Sequence, residues 1–308
     1  MAGGAGFIGS HLVDRLLAEE WDVVVLDNLI TGRRPNLLDA ERSGTFDFLE
    51  GDVGDLADLG MRFDVIFHLA SPASPVDYFQ YPLETLRANS VGTDRLLQLA
   101  ERSTARFVYA SSSEVYGDPL APVQSESDWG NVNPIGPRSA YDEAKRFGEA
   151  ITVAHRSTHG TNAGILRLFN SYGPRMRPND GRVVPEFIVR TLENRPLLIH
   201  GDGSQTRSFC YVVDTVDALM RMAGSDVEGP INVGHPRPIT MLALAIALGD
   251  VVGRRLDLEF AAARVDDPQV RHPDIDRAKS ILDWSPETSL EDGLTATVDW
   301  FSRSEAGS

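Results

Sequence analysis

The feature that most restricts the fold stands at the start of the chain. In MAGGAGFIGSHLVDRLL, Gly3, Gly6 and Gly9 form G-x-x-G-x-x-G just ahead of an apolar helical run. Glycines at that spacing let a backbone turn tightly and approach a pyrophosphate, whose charge then meets a helix N-terminus. Alone, the pattern is also that of a plain glycine-rich turn. Its context decides: the run VVVLD closes on Asp27, about 20 residues downstream, where a carboxylate would take the hydroxyls of an adenosine ribose. An acid there favours NAD over NADP because a 2′-phosphate would be repelled, although Arg33 and Arg34 stand nearby. A strand is expected before such a loop, yet only Met1 and Ala2 precede it. Losing about four buried aliphatic side chains from a central strand forfeits roughly 6–12 kcal/mol, against a typical domain stability of about 5–15 kcal/mol. The expectation is therefore a native start upstream of Met1.

Short β-branched runs alternate with longer helical patterns. Segments 22–27, 46–50, 64–70, 106–111 and 163–169 read as strands, and 7–19, 82–102 and 140–159 as helices. Runs apolar on both faces, alternating with helices, predict an α/β fold with a Rossmann-type, doubly wound parallel sheet, its first strand apparently truncated. After about residue 170 the pattern becomes irregular, with short strands such as PLLIH and FCYVV among Pro/Gly turns. The expected layout is a dinucleotide-binding domain over 1–170, to which about 205–225 return. A smaller C-terminal substrate lobe over 171–301 and a disordered tail over 302–308 complete it.

Composition narrows the partners. With 29 Lys plus Arg against 45 Asp plus Glu, the net charge is 29 − 45 = −16. Such a surface repels nucleic acid and anionic membrane, so an anionic substrate would need a local cluster of arginines. The single cysteine, Cys210, excludes an intramolecular disulfide and fits a reducing cytoplasm. The apolar run MLALAIAL is far shorter than the roughly 18 residues of a membrane span.

Two further stretches carry chemistry. YASSSEVYG, residues 109–117, crowds three serines and Glu114 at the end of a buried strand. SAYDEAKRFGEA places Tyr141 and Lys145 one helical turn apart on the same face. Following a dinucleotide loop, a serine-tipped strand and Tyr-x-x-x-Lys resemble the extended short-chain dehydrogenase/reductase superfamily. That resemblance implies that Lys145 binds the nicotinamide ribose and lowers the Tyr141 pKa so that a phenolate acts as base, and that Ser112 hydrogen-bonds the reacting hydroxyl.

The stretches HLASPASPVDYFQYP, SSSEVYGDP, WGNVNPIGPRSAYDEAKR, FNSYGPRMRPNDGRVV and GDGSQTRSFCYV narrow the resemblance to the UDP-glucuronate decarboxylases, also called UDP-xylose synthases, from Gly3 to about Phe301. The resemblance implies a sugar-nucleotide-binding second lobe and the following reaction. NAD takes a hydride from C4 of UDP-glucuronate, the resulting β-keto acid loses carbon dioxide, C5 is protonated, and the retained hydride returns to C4, with no net oxidation. Glu114 is placed near C5, orienting water or substrate. The related 4,6-dehydratases carry an Asp-Glu pair there, whereas this chain has Ser113 before Glu114, which disfavours dehydration.

By resemblance, the cofactor site also takes in Phe7, Ile8, Asn28, Thr31, Gly32, Asp52, Val53, Leu69, Ala70 and Ser71. Arg207 and Arg271 face the nucleotide, Arg271 near the reacting sugar on either phosphate or carboxylate. Asn170 contacts the sugar diphosphate, Tyr78 the glucuronyl group, and Arg182 lies between cofactor and substrate. Arg87 and Ala88 replace a substrate-contacting lysine and a cofactor-side threonine, Ser112 replaces a common threonine, and Arg177 a frequent histidine. A homodimer is implied, built on the apolar faces of 82–102 and 140–159. The rivals are a UDP-sugar 4-epimerase, separated by carbon dioxide release, and a non-catalytic sugar-nucleotide-binding relative.

Overall fold

The computed structural model describes residues 1–57, 59–262 and 270–305, so part of the DDPQVRHPD motif, residues 266–269, lies outside the described residues. The main sheet is built on parallel strands: β1 (Val23–Asp27) pairs with β2 (Phe46–Glu50), and β3 (Val65–His68), β4 (Arg106–Ser112) and β5 (Ala163–Leu168) pair in sequence. Ile231–Val233 adds to the free edge of β5. Between β1 and β3 stand only Met1 and Ala2. Ala2 bridges both Leu26 and His68 in the parallel sense, and its N–H donates to Phe67 O at 2.9 Å. Two residues therefore hold the place of a central strand and join the halves of the sheet.

Helices cover both faces, which is why β4 is buried along its whole length. On one side α1 (Phe7–Ala18) and the helix Val212–Ala223 bury Leu12, Val13, Leu16, Val216 and Leu219 against Val25, Val108 and Leu166. The other side carries α2 (Pro75–Gln80), α3 (Pro82–Arg87), α4 (Thr93–Ser103) and α5 (Ser139–His159). There Leu96, Leu97 and Ala100 pack on Phe107, Tyr109 and Ile165. A separate core gathers Tyr172, Phe187, Leu197, Ile199, Leu244 and Phe301 from the later part of the chain.

Three segments differ from expectation. The helix expected over 82–102 is interrupted by a π-turn at Ala88–Gly92. There the Asn89 amide donates inward to Ser71 Oγ at 2.8 Å and to the Thr85 carbonyl at 2.9 Å; π-turns of this kind recur at functional sites. FCYVV is a strand only at Cys210–Tyr211, because the helix begins at Val212. The expected tail is helical through residue 305, its last turns anchored by the buried Phe301.

Candidate active site

The cleft opens along the C-terminal ends of the parallel strands, where backbone turns leave the sheet. All the residues expected at the cofactor line one of two adjoining cavities. Gly3, Gly6, Phe7, Ile8, Gly9, Thr31, Leu69, Ser71, Tyr141 and Lys145 line the larger one; Asp27, Asn28, Gly32, Asp52, Val53 and Ala70 line its neighbour. The glycine loop is closely fitted. Gly3 has φ +84°, and a Cβ there would lie 2.6 Å from Ala70 N; one on Gly9 would lie 2.1 Å from Gly3 O. Asp27 sits inside this loop, accepting from Ala5 N and Leu29 N at 2.9 Å each. Burial raises its pKa while those two backbone donors lower it. Its remaining lone pairs suit ribose hydroxyls. A cradle that no side chain could enter, ending on a carboxylate, fits a dinucleotide.

The serine-rich tip of β4 divides its labour. Ser111 Oγ donates to Glu149 at 2.6 Å. Ser112 accepts from Glu114 N at 3.2 Å and so caps the tight turn Ser113–Tyr116, which aims Glu114 across the cleft. Helix α5 crosses β4 closely because residue 148 is glycine; a Cβ there would lie 2.0 Å from the Tyr109 hydroxyl. That approach lays Tyr141 and Lys145 against the strand tip, where Lys145 Nζ donates to Ala110 O at 2.8 Å. The Tyr78 ring stacks on Tyr141, centroids 5.1 Å apart and planes at 13°.

The electrostatics depart from the expected activation of Tyr141. Burial drives Lys145 down to about 7, opposed by Glu149. Burial likewise drives Tyr141 up to about 12, with a hydrogen bond from Ser112 pulling the other way. Lys145 is tied to a carbonyl with Nζ 5.8 Å from the Tyr141 ring centroid, so its charge does not offset the desolvation of the phenol.

Glu114 meets two guanidinium groups. Arg271, 2% exposed, donates from Nη2 at 3.0 Å and from Nε at 3.3 Å, and Arg138 Nη2 binds the same carboxylate. Burial alone would raise the Glu114 pKa; the charges of Arg271 and Arg138 reverse this and hold it at about 2. Tyr78, Asn170, Arg182 and Arg207 also line the larger cavity. The Asn170 amide nitrogen and the Tyr78 hydroxyl are buried without a protein partner among the described residues. Arg182 is ion-paired to Asp180 at 2.5 Å.

Arg87 lines neither cavity: its guanidinium, 48% exposed, pairs with Asp55 and donates to Gly54 O at 3.4 Å. Arg138 was missed, although it stands one helical turn before Tyr141 and its side chain has the same reach. Arg177, also in the cavity and bound to Asp77, was noted only as a departure.

Comparison with known proteins adds three findings. Residues 1–234 match the NAD dependent epimerase/dehydratase family. The chain is 46% identical over 301 residues to UDP-glucuronic acid decarboxylase 1 of Arabidopsis thaliana, covering 98% of this chain and 69% of that protein. It is 44% identical over 303 residues to UDP-glucuronic acid decarboxylase 1 of Danio rerio, covering 98% and 72%. Among solved structures, the UDP-glucose 4-epimerase of Thermotoga maritima with UDP-glucose superposes at a TM-score of 0.90, with 29% identity and 99% and 98% coverage. The UDP-glucuronic acid 4-epimerase of Bacillus cereus, in complex with UDP-glucuronic acid and NAD, does so at 0.87, with 28% identity and 98% coverage of each chain.

Proposed function

The chain belongs to the NAD dependent epimerase/dehydratase family and, within it, to the UDP-glucuronic acid decarboxylases, and from that premise we propose that it converts UDP-glucuronate to UDP-xylose and carbon dioxide. The observation that carries the reading is Glu114, kept ionised by Arg138 and Arg271 beside Tyr141 and Ser112. In this reading the glycine loop and Asp27 hold NAD, with Lys145 on its nicotinamide ribose. Bound there, NAD would supply reversible hydride transfer at C4 and a positive ring charge near Tyr141.

The residues divide the remaining work. Tyr141 takes the C4 hydroxyl proton, with Ser112 holding that oxygen in line. Once C4 is a carbonyl, the bond to the C5 carboxylate can break, its electrons passing into the C4–C5 enolate. Glu114 orients the sugar, or the water from which C5 recovers a proton. Its own low pKa suits an acceptor that fixes geometry rather than an acid that releases a proton. Arg207, Asn170 and Arg182 take the diphosphate, and Tyr78 the sugar. The division into an NAD-binding domain and a sugar-nucleotide lobe belongs to the same reading.

A homodimer and a cytoplasmic location complete the proposal. Phe79, Leu83, Leu86, Phe147 and Val153 are exposed on α2, α3 and α5, which pack side by side, and a second copy would cover them. The lone Cys210, buried and free, suits a reducing compartment, and no helix among the described residues is long and apolar enough to cross a membrane. The deciding experiment is incubation of NAD-loaded protein with UDP-glucuronate, following carbon dioxide and the nucleotide products by mass. UDP-xylose with carbon dioxide establishes the reading. A product of unchanged mass points to a 4-epimerase instead.

A further inference from the structure

Beside the cleft lies a carboxylate that the proposed mechanism does not use. Asp142 follows Tyr141 on α5; its side chain is 8% exposed and Oδ2 stands 3.9 Å from Arg138 Nε. Oδ1 is buried with no hydrogen-bond partner among the described residues. The other end of Arg138 binds Glu114, which also takes two nitrogens of Arg271. Two carboxylates thus compete for two guanidinium groups, and Glu114 holds nearly all of the contact. The groups facing Asp142 are Glu114 from the turn after β4, Arg138 before α5, Arg271 from the strand Val270–Arg271 and Tyr78 from α2, with Tyr141 and Glu143 on α5 itself. A buried carboxyl beside a like charge, offered only a long contact to a cation already engaged, retains its proton more readily than an exposed one. Burial and Glu114 together push Asp142 up to about 7, against the pull of Arg138 and Arg271.

The charge count then turns on Asp142. Arg138 and Arg271 minus Glu114 leave one positive charge while Asp142 is protonated, and none once it ionises. Arg138, Glu114 and Arg271 all line the cavity that holds Tyr141 and Ser112. A sugar whose C4 hydroxyl meets Tyr141 carries its C5 substituent one carbon away, within reach of this cluster.

We propose that Asp142 is a positioning residue which sets the charge of the Arg138–Glu114–Arg271 cluster, and that the cluster in its positive form receives the sugar carboxylate. The inference rests on the acidic-sugar reading above. It makes Asp142 a determinant of selectivity for charged over neutral sugar nucleotides.

The test is calorimetric titration of NAD-loaded protein with UDP-glucuronate and with UDP-glucose, which lacks the carboxylate, from pH 6 to pH 8.5. In the parent, affinity for UDP-glucuronate should fall at least about five-fold across that range, while affinity for UDP-glucose changes far less. Lys145 also titrates near 7, but it acts on both ligands and so shows in the UDP-glucose control. Asp142→Asn should abolish the extra pH dependence, and Asp142→Glu, which keeps a carboxyl, should restore it. If Asp142→Asn does not fold, Asp142→Ser serves the same purpose. A parent whose preference for UDP-glucuronate is constant with pH overturns the inference, as does a neutral variant with the parent's pH dependence. Failure of the parent to bind UDP-glucuronate at any pH refutes the acidic-sugar reading itself, a separate result.

Discussion

Glu114→Gln removes one charge from the centre of the cleft while keeping the side chain's shape. The carboxylate is largely buried, its side chain 15% exposed. Burial would raise its pKa, but Arg271 and Arg138 bring it from 4.5 down to about 2. At 1.36 kcal/mol per pKa unit this depression corresponds to ~3 kcal/mol favouring the ionised form, in line with the ~3–5 kcal/mol lost when one partner leaves a buried ion pair. Part of that loss is recovered, because without Glu114 the Asp142 carboxyl ionises more readily and engages Arg138 from its present 3.9 Å. The expected net loss is ~2–3 kcal/mol, read as a shift in the urea midpoint at pH 6 with an unchanged slope. The sign with pH follows from the folded pKa lying below the unfolded one. Glu114's contribution is complete above about pH 4.5 and disappears as pH falls towards about 2. The gap between parent and variant should therefore narrow over that window. A variant within ~0.5 kcal/mol of the parent at pH 6, well short of what breaking a buried pair costs, or a gap undiminished at pH 3, would refute the reasoning.

Tyr141→Phe should lower kcat by about 10²–10⁴ while NAD stays bound, since it removes proton transfer and little contact; activity equal to the parent would remove Tyr141 as the base. Gly3→Ala forces a Cβ to within 2.6 Å of the Ala70 backbone at φ +84°, so NAD affinity should drop by at least about ten-fold; unchanged affinity by titration would show that the loop is not the pyrophosphate site. Arg87→Ala should leave turnover within about two-fold and cost under ~1 kcal/mol, as for an exposed ion pair; a large rise in KM would return Arg87 to the substrate.

What the sequence revealed and what it hid follow from the range of the interactions. The glycine loop was legible because a positive φ at Gly3 and the packing of residue 9 onto Gly3 O leave no other residue type room. Tyr141 and Lys145 were legible because helical spacing alone puts them on one face. Arg138 and Asp142 were not, because their meaning depends on Glu114 and Arg271, brought beside them from other parts of the chain by the tertiary fold. The partner of Arg87 was hidden for the same reason, since Asp55 stands 32 residues away in the chain. The electrostatic balance between Lys145 and Tyr141 was not legible either, since burial acts on both groups and no sequence states how dry a site will be.

An acidic chain of net charge −16 that takes an anionic ligand must concentrate its cations without letting them hold the ligand too firmly. The cleft does this by pairing its arginines in advance. Arg177 is engaged by Asp77, Arg182 by Asp180, and Arg138 and Arg271 by Glu114. Each pair orients a guanidinium fork and spends part of its charge before ligand arrives. For a decarboxylation this matters, because a carboxylate bound by unshared arginines would be stabilised more than the transition state, in which its charge is leaving. In the proposed reaction that charge would move toward the C4 oxygen, on the side of the cavity lined by Ser112 and Tyr141. Under the proposed reading, a weakly positive cluster of Glu114, Arg138 and Arg271 near C5 and hydrogen-bonding groups near C4 would together define a direction for the electrons.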